Sequence, residues 1–101
     1  MDSKNLNKEN PIGIFDSGIG GLTVASAIKE HLPNEQIIYF GDTAHLPYGD
    51  KAKYSIKHYS TEISKLLLAQ NCKAVVIACN TASSIASKEV SKIIGSAAIL
   101  V

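Results

Sequence analysis

The sequence predicts an α/β domain built on a parallel sheet, and three observations support this. Four short apolar runs, rich in Ile and Val, are typical of strands that are buried on both faces. Three longer segments between these runs repeat apolar residues at helical spacing. Strands and helices therefore alternate along the chain, and this order favours a parallel sheet joined by right-handed crossovers.

Each predicted element has its own sequence signal. The strands are expected at Ile12–Phe15, Gln36–Phe40, Ala74–Ala78 and Ala97–Val101. The first helix, Gly21–His31, ends before Pro33, which cannot continue a helix. Its expected buried stripe comprises Leu22, Ala25, Ile28 and Leu32. The other helices are expected at Lys53–Gln70 and at Thr81–Ile94, the second of them closed by Gly95.

The bulk composition restricts the class of protein. With 101 residues, 46% hydrophobic and 19% charged, the chain is expected to form one small packed domain over residues 11–101. A net charge of +1 argues against a nucleic-acid partner and against a polybasic membrane anchor. No apolar run approaches the roughly 20 residues of a membrane span. Residues 1–10 are polar and lack the apolar core of a signal peptide, which predicts a flexible lead-in and a cytoplasmic protein.

The predicted strand Ala97–Val101 reaches the last residue of the sequence. Chain termini are usually polar and lie at the surface. We therefore expect the 101 residues to be a fragment of a longer protein. The alternative is a C-terminal strand that docks into the sheet.

Cys79 is the first candidate for a reactive side chain. It stands where the apolar run Val75–Ala78 meets a helical pattern. In an open α/β sheet this is the carboxyl end of a strand, where ligands bind. The N–H groups and dipole of the following helix favour a thiolate, which can act as a nucleophile or a base. The alternative is a buried, inert cysteine, which is the commoner fate of a free thiol.

Cys72, the other cysteine, is expected to be structural. If residues 73–79 are extended, the two cysteines lie about 20 Å apart. A disulfide needs Cα atoms within about 7 Å, so the two thiols cannot pair. No cluster of Cys and His has metal-ligand spacing, and no metal site is expected.

Asp16 and Ser17 follow the first strand and precede a glycine-rich turn. A phosphate loop of the Gly-x-Gly-x-x-Gly type is excluded because it needs a glycine at Thr23, and because Asp16 would repel phosphate. An acid beside a helix N-terminus suits a zwitterion, with Asp16 for an ammonium and exposed N–H groups for a carboxylate. The alternative is an N-cap with a tight turn, and both can hold together.

A second polar loop follows the second strand and contains Tyr48 and Gly49. Its Pro and Gly residues indicate a rigid loop. Tyr48 is expected to offer an aromatic wall or a hydroxyl at the mouth of the site, with a plain turn as the alternative. His45 is a candidate base in the same loop, although a lone loop histidine is more often solvated.

Asn80 and Thr81 directly follow Cys79. Their side chains can cap the next helix or bind a ligand carboxylate beside the thiol. No partner base for a nucleophilic cysteine is evident in the sequence. A thiolate that acts as a base needs no such partner.

Four segments carry motifs in a specific order, namely Pro11–Thr23, Tyr39–Thr43, Pro47–Gly49 and Val76–Ser83. In these motifs the chain resembles the glutamate racemase family, and the match runs from about Pro11 to the end. The resemblance implies the incomplete first domain of a two-domain α/β racemase. It also implies cofactor-independent interconversion of L- and D-glutamate, which supplies D-glutamate for peptidoglycan.

The resemblance further implies roles for particular residues. Members of the family use two cysteines on opposite faces of the substrate, and Cys79 corresponds to the thiol that acts on D-glutamate. The implied substrate-binding residues are Asp16, Ser17, Tyr48, Gly49, Asn80 and Thr81. Asp16 is also expected to assist proton transfer. The implied substrate is glutamate, and the full-length form is expected to be a homo-oligomer.

The family's second cysteine motif, Gly-Cys-Thr-His, does not occur in these 101 residues. We therefore expect that the isolated chain does not racemise glutamate. Three alternatives stay open at this point. They are a related racemase of aspartate or hydantoins, a non-catalytic module that binds an amino acid or a protein, and a transferase or hydrolase with a cysteine nucleophile.

Overall fold

A computed structural model describes residues 9–18, 20–95 and 98–100. The strands are β1 (Ile12–Asp16), β2 (Ile37–Gly41), β3 (Ala74–Ile77) and β4 (Ala98–Leu100). The α-helices are α1 (Gly21–His31), α2 (Lys53–Ala69) and α3 (Asn80–Ile94). Two single-turn 3-10 helices, Thr43–His45 and Tyr48–Asp50, lie where the sequence predicts a rigid loop.

The predicted α/β alternation is confirmed, and the described element ends differ from prediction by one residue at most. Ala97 and Val101, the ends of the last predicted strand, lie outside the described residues. Most of the expected N-terminal lead-in, residues 1–8, also lies outside them. None of the described helices combines the length and apolar character that crossing a membrane requires.

The strands form one parallel sheet in the order β2-β1-β3-β4. The central strand β1 is buried along its whole length, as expected for a parallel strand between two neighbours. Its last apolar residue, Phe15, lies opposite Phe40 of β2 and Ile77 of β3. The carboxyl ends of these three strands are therefore level with one another.

Helices cover both faces of the sheet, but unequally. Helices α2 and α3 pack on one face, where Phe15, Val75 and Ile77 belong to a large buried cluster. Helix α1 packs on the other face, where the fully covered cluster is much smaller. That cluster comprises Ile12, Ile14 and Val76.

The predicted buried stripe of α1 is partly wrong. Ala25 and Ile28 pack against the sheet as expected, together with Val24. Leu22 and Leu32 are instead 63% and 48% exposed. The helix turns the Val24 side of its surface toward β1, which places the two leucines beyond the edge of the contact.

Two backbone hydrogen bonds continue the register past the strands. The Asp42 N–H donates to the Asp16 carbonyl at 3.1 Å, and the Ala78 N–H donates to the Phe15 carbonyl at 2.8 Å. The carboxyl ends of β1, β2 and β3, with the turns that follow them, form a single edge, called here the carboxyl edge. Ligands bind at this edge in open α/β sheets.

Candidate functional site

Cys79 lies at the carboxyl edge, in the position that the sequence predicts. It is the N-cap residue of α3, with extended backbone angles and a half-buried side chain. The thiol packs against the buried cluster that contains Phe15 and Tyr48. The N–H groups and dipole at the start of α3 favour negative charge on a thiol at this position.

Cys72 lies at the opposite end of β3 and is fully buried, as expected for a structural cysteine. Burial raises the pKa of its thiol. Both cysteines are free, so the expectation that they do not pair is confirmed. Of the two thiols, only that of Cys79 reaches solvent.

Asn80 and Thr81 are the first two residues of α3 rather than its N-cap. The N-cap position belongs to Cys79, and no side-chain hydrogen bond caps the helix there. The alternative in which Asn80 or Thr81 caps the helix is therefore wrong. Asn80 is exposed and Thr81 is half-buried.

Asp16 is fully buried at the end of β1 and is held by three donors. Its carboxylate accepts the Gly18 N–H at 2.8 Å and also the Gly21 N–H at the start of α1. The Tyr39 hydroxyl donates to both carboxylate oxygens, at 3.0 and 3.1 Å. The N-cap residue of α1 is Gly20, so the interpretation of Asp16 as an N-cap residue is wrong. The Asp16 carboxylate instead accepts the N–H of Gly21, the first residue of the helix, from five positions upstream.

Tyr39 is a partner of Asp16 that the sequence analysis does not select. Burial, and then its hydrogen bond to Asp16, raise the pKa of this tyrosine. The register between β1 and β2 is the feature that indicates Tyr39 as a partner of Asp16. Tyr39 lies opposite Ile14, and Asp16 is two residues further along β1, so both side chains share one face.

Two glycines allow the turn after β1 to close around Asp16. A Cβ at Gly21 would overlap the Asp16 carboxylate, since the nearest oxygen lies 2.2 Å from its position. Gly18 has φ of +98°, a left-handed conformation that favours glycine. Ser17, the residue between Asp16 and Gly18, is buried.

Asp42, one residue beyond β2, is the second buried carboxylate at the carboxyl edge. The Tyr48 hydroxyl donates to it at 2.6 Å, and the His45 Nδ1 lies 2.9 Å from both of its oxygens. Burial, followed by the bond to Asp42, raises the pKa of Tyr48 far above its usual range, and Cys79 is near enough to contribute.

The sequence predicts Tyr48 at the mouth of the site, but the structure places its side chain in the interior. Its side chain is 1% exposed and its hydroxyl is directed at Asp42. Gly49, the next residue, is exposed, and a Cβ there would meet nothing within 4 Å. A ligand at this turn therefore meets its backbone rather than the phenol.

His45 is more ordered than a solvated loop histidine. Its ring stacks on Tyr59 of α2, with centroids 3.8 Å apart and planes 14° apart. Both residues line a cavity of about 400 Å³ above β2 and α2. Neither Cys79 nor Asp16 lines this cavity, so it is separate from the thiol.

The carboxyl edge therefore joins one accessible thiol, two buried carboxylates and the N-terminus of α3. All six predicted substrate-binding residues lie at this edge. Asp16 ends β1 and Ser17 follows it, Tyr48 and Gly49 lie in the second 3-10 helix, and Asn80 and Thr81 begin α3. Within the described part of the chain, no group of three or more His, Cys, Asp or Glu residues could hold a metal ion. The arrangement is suited to proton transfer by a thiol beside fixed negative and positive partial charges.

Comparisons with known proteins identify relatives over almost the whole chain. Glutamate racemase from Neisseria gonorrhoeae is 48% identical over 97 residues, which is 96% of this chain and 36% of the relative. Glutamate racemase from Leifsonia xyli is 62% identical over 74 residues, which is 73% of this chain and 27% of the relative. No protein-family model matches the chain.

Solved structures agree with this relationship. The crystal structure of glutamate racemase from Francisella tularensis in complex with D-glutamate is similar with a TM-score of 0.87 at 47% identity. The match covers 90% of this chain and 35% of that one. Glutamate racemase from Aquifex pyrophilus matches with a TM-score of 0.85 at 43% identity, covering 89% and 35%. The chain thus spans about a third of the length of its relatives.

Proposed function

This chain is related in sequence and fold to the N-terminal part of glutamate racemases, and we propose that it forms one half of the active site of such an enzyme. The proposed reaction is the interconversion of L- and D-glutamate by proton transfer at the α-carbon, without a cofactor. The D-glutamate so formed enters peptidoglycan synthesis in the cytoplasm. Aspartate and hydantoin racemases, the nearest alternatives, are not among the relatives reported above.

The position of Cys79 carries the proposal. It is the accessible one of two thiols, it is the N-cap residue of α3, and it lies just beyond the end of β3, beside the end of the neighbouring strand β1. A base for an amino acid α-proton must be held close to a substrate that is itself fixed in place. The turns around Cys79 supply both the base and the fixed surroundings.

The α-proton of an amino acid is very weakly acidic, so the carbanion must be stabilised as it forms. Fixed N–H dipoles in a water-excluded site are an effective source of this stabilisation. The start of α3 points such groups toward Cys79 and the substrate. We assign Cys79 as the base that removes the α-proton of D-glutamate and returns it in the reverse direction.

The remaining turns bind the substrate. Asp16, held as a fixed negative charge by Tyr39 and the start of α1, attracts the substrate ammonium and assists proton transfer. Ser17 and the backbone of Tyr48 and Gly49 line the site opposite α3. Asn80 and Thr81 bind a substrate carboxylate, since their side chains are not used to cap α3.

Inversion at carbon requires a second acid on the opposite face of the substrate. Cys72 cannot serve, because it is fully buried at the far end of β3. In the proposed two-thiol reaction, the second thiol therefore comes from outside these 101 residues. We expect the isolated chain to bind glutamate without racemising it, and the full-length enzyme to associate with further copies of itself.

The test is α-proton exchange in D₂O, measured by ¹H NMR and circular dichroism on each enantiomer of glutamate. The protein is expressed from its complete reading frame, with the 101-residue chain as a second sample. The first is expected to invert glutamate with uptake of deuterium, and Cys79→Ser should lower the rate at least a thousandfold. Cys72→Ala is the matched control and should retain the parent rate.

Three outcomes would contradict the proposal. Exchange that survives Cys79→Ser would exclude this thiol as the base. Binding of glutamate without exchange, in the parent and in Cys79→Ser alike, would favour a non-catalytic binding module. Trapping of an acyl group on Cys79 would instead indicate a cysteine nucleophile.

A further inference from the structure

Asp42 connects parts of the carboxyl edge that are distant in sequence. Its buried carboxylate accepts the Tyr48 hydroxyl at 2.6 Å and lies 2.9 Å from the His45 Nδ1. His45 stacks on Tyr59, and Tyr48 also contacts that ring, with centroids 5.8 Å apart. One carboxylate thus fixes both 3-10 turns to each other and to α2.

The phenol of Tyr48 is not available to a ligand, since it is 1% exposed and bonded to Asp42. The Tyr48–Gly49 segment can therefore contribute to a substrate site only through its backbone and the open space beside Gly49. The position of that backbone depends on what holds the Tyr48 ring. Core packing holds the body of the ring, and Asp42 fixes its hydroxyl end.

The same segment also supports the turn after β1. The Asp42 N–H donates to the Asp16 carbonyl at 3.1 Å. A Cβ placed on Gly18 would lie within 3.0 Å of atoms of Thr43 and Leu46. This turn therefore packs directly on the 3-10 segment, which is the stretch 43–50 that contains both 3-10 helices. A shift of the 3-10 segment would displace the turn that carries Ser17.

Building on the proposed function, we propose that Asp42 is a positioning residue of the glutamate site. It touches neither the substrate nor Cys79 in this scheme. Its carboxylate holds the ring of Tyr48, and through that ring it fixes two backbone turns against which glutamate binds. These are the turn at Tyr48–Gly49 and the turn at Ser17–Gly18.

A carboxylate suits this position because it accepts hydrogen bonds only, and two donors approach it from separate residues. An asparagine offers one carbonyl oxygen, which can accept from Tyr48, while its amide would meet His45 with a donor of its own. A leucine has similar size and accepts nothing. Asp42→Asn therefore retains the hydrogen bond from Tyr48 and loses the one with His45, whereas Asp42→Leu loses both.

The experiment measures the affinity for D-glutamate by isothermal titration of the protein from its complete reading frame. Each variant is tested at a temperature where circular dichroism shows it to be fully folded. Asp42→Leu is expected to bind at least tenfold more weakly, and Asp42→Asn to lie between it and the parent. Asp50→Leu, an exposed acid in the same segment, is the matched control and should remain within twofold.

A second readout separates positioning from stability alone. D-glutamate at a concentration near the parent Kd should slow the alkylation of Cys79 in the parent, and the same concentration should slow it much less in Asp42→Leu. The kcat/KM should fall mainly through KM. A folded Asp42→Leu protein with the parent affinity and protection would overturn the inference.

If Asp42→Leu does not fold, Tyr48→Phe tests the same bond, because it removes the donor and retains the ring. Weaker binding supports the inference, and unchanged binding overturns it. A parent protein that does not bind glutamate would overturn the proposed function and this inference together. A parent that binds, with variants that bind equally well, overturns the inference alone.

Discussion

The two ends of β3 carry the two cysteines of the chain, and their surroundings differ sharply. At the amino end, Cys72 is enclosed by apolar contacts, and its sulfur would lie 2.9 Å from a Cβ placed on Gly13. At the carboxyl end, Cys79 is half-buried and stands at the start of α3. The same type of side chain is inaccessible at one edge of the sheet and partly accessible to solvent at the other.

The difference shows that the edge of a parallel sheet, rather than the residue type, decides what a thiol can do. The carboxyl edge gathers the N-terminus of a helix and turns with polar side chains. At the opposite edge, where the strands begin, Gly13 and Leu67 pack closely around Cys72. We call this the amino edge. Substitutions matched across the two edges can test this contrast.

Thiol reactivity should show the largest difference. Iodoacetamide at pH 7.5 is expected to alkylate Cys79 of the folded protein at least a hundredfold faster than Cys72. The reason is that Cys72 is inaccessible and burial raises the pKa of its thiol, which lowers the thiolate fraction. Peptide mass spectrometry over time measures both rates in one sample.

The urea-unfolded protein is the control, in which both thiols should react at similar rates. Equal rates in the folded protein would remove the basis of the comparison.

A methyl group added at each edge should show that the amino edge is closely packed and that the carboxyl edge has open space. Gly13→Ala is expected to lower the free energy of unfolding by about 1–3 kcal/mol, because the new methyl meets Cys72 and Leu67. Gly49→Ala should stay within about 0.5 kcal/mol of the parent, since nothing lies near its Cβ. Urea unfolding measures both values. A Gly49→Ala loss as large as that of Gly13→Ala would contradict a closed amino edge and an open carboxyl edge.

Replacement of each thiol by a hydroxyl should sharpen the contrast further. Cys72→Ser is expected to cost about 1–2 kcal/mol of unfolding free energy, because it buries a hydroxyl in an apolar cluster. Cys79→Ser should cost less than about 0.5 kcal/mol, because solvent reaches that position. Thermal unfolding followed by circular dichroism gives both numbers. A destabilised Cys79→Ser protein would mean that this thiol also has a structural role.

The smallest expected effect is a pH dependence that arises from Cys72. Burial raises the pKa of its thiol in the folded chain, so the folded state keeps the proton longer than the unfolded state. Its stabilising contribution is complete below the unfolded pKa of about 8.5 and is lost as the pH rises toward the folded pKa. Urea unfolding at pH 7.5 and 9.5 should show a decrease of about 1 kcal/mol. Cys72→Ala should reduce this decrease; an unchanged decrease in Cys72→Ala would assign the effect to other groups.

The sequence predicts the elements closely because their signals are local. Buried runs such as Val75–Ala78 and breakers such as Pro33 and Gly95 determine where strands and helices begin and end. The burial of Leu22 and Leu32 is predicted wrongly for a reason that is not local. Helical spacing defines a stripe, whereas the sheet decides which part of that stripe is covered.

The candidate site also has one part that local sequence signals predict and one part that they do not. The place of Cys79 follows from a strand that ends before a helix, and that pattern is visible in the sequence. The partners of the two carboxylates are not visible in this way. Tyr39 is 23 residues from Asp16 and meets it only through strand pairing. The inward direction of Tyr48 depends on Asp42, and turn residues alone do not reveal which way a side chain faces.

The order of strands in the sheet also has a consequence for synthesis of the chain. The central strand β1 is made first, and its neighbour β2 follows soon after, but its other neighbour, β3, begins only at Ala74. At about 5–20 residues per second, one side of this largely apolar central strand therefore waits several seconds for its partner on the ribosome. An unpaired strand edge is a site where other chains can associate. The timing of translation, rather than the stability of the finished sheet, thus determines when the nascent protein is most prone to aggregate.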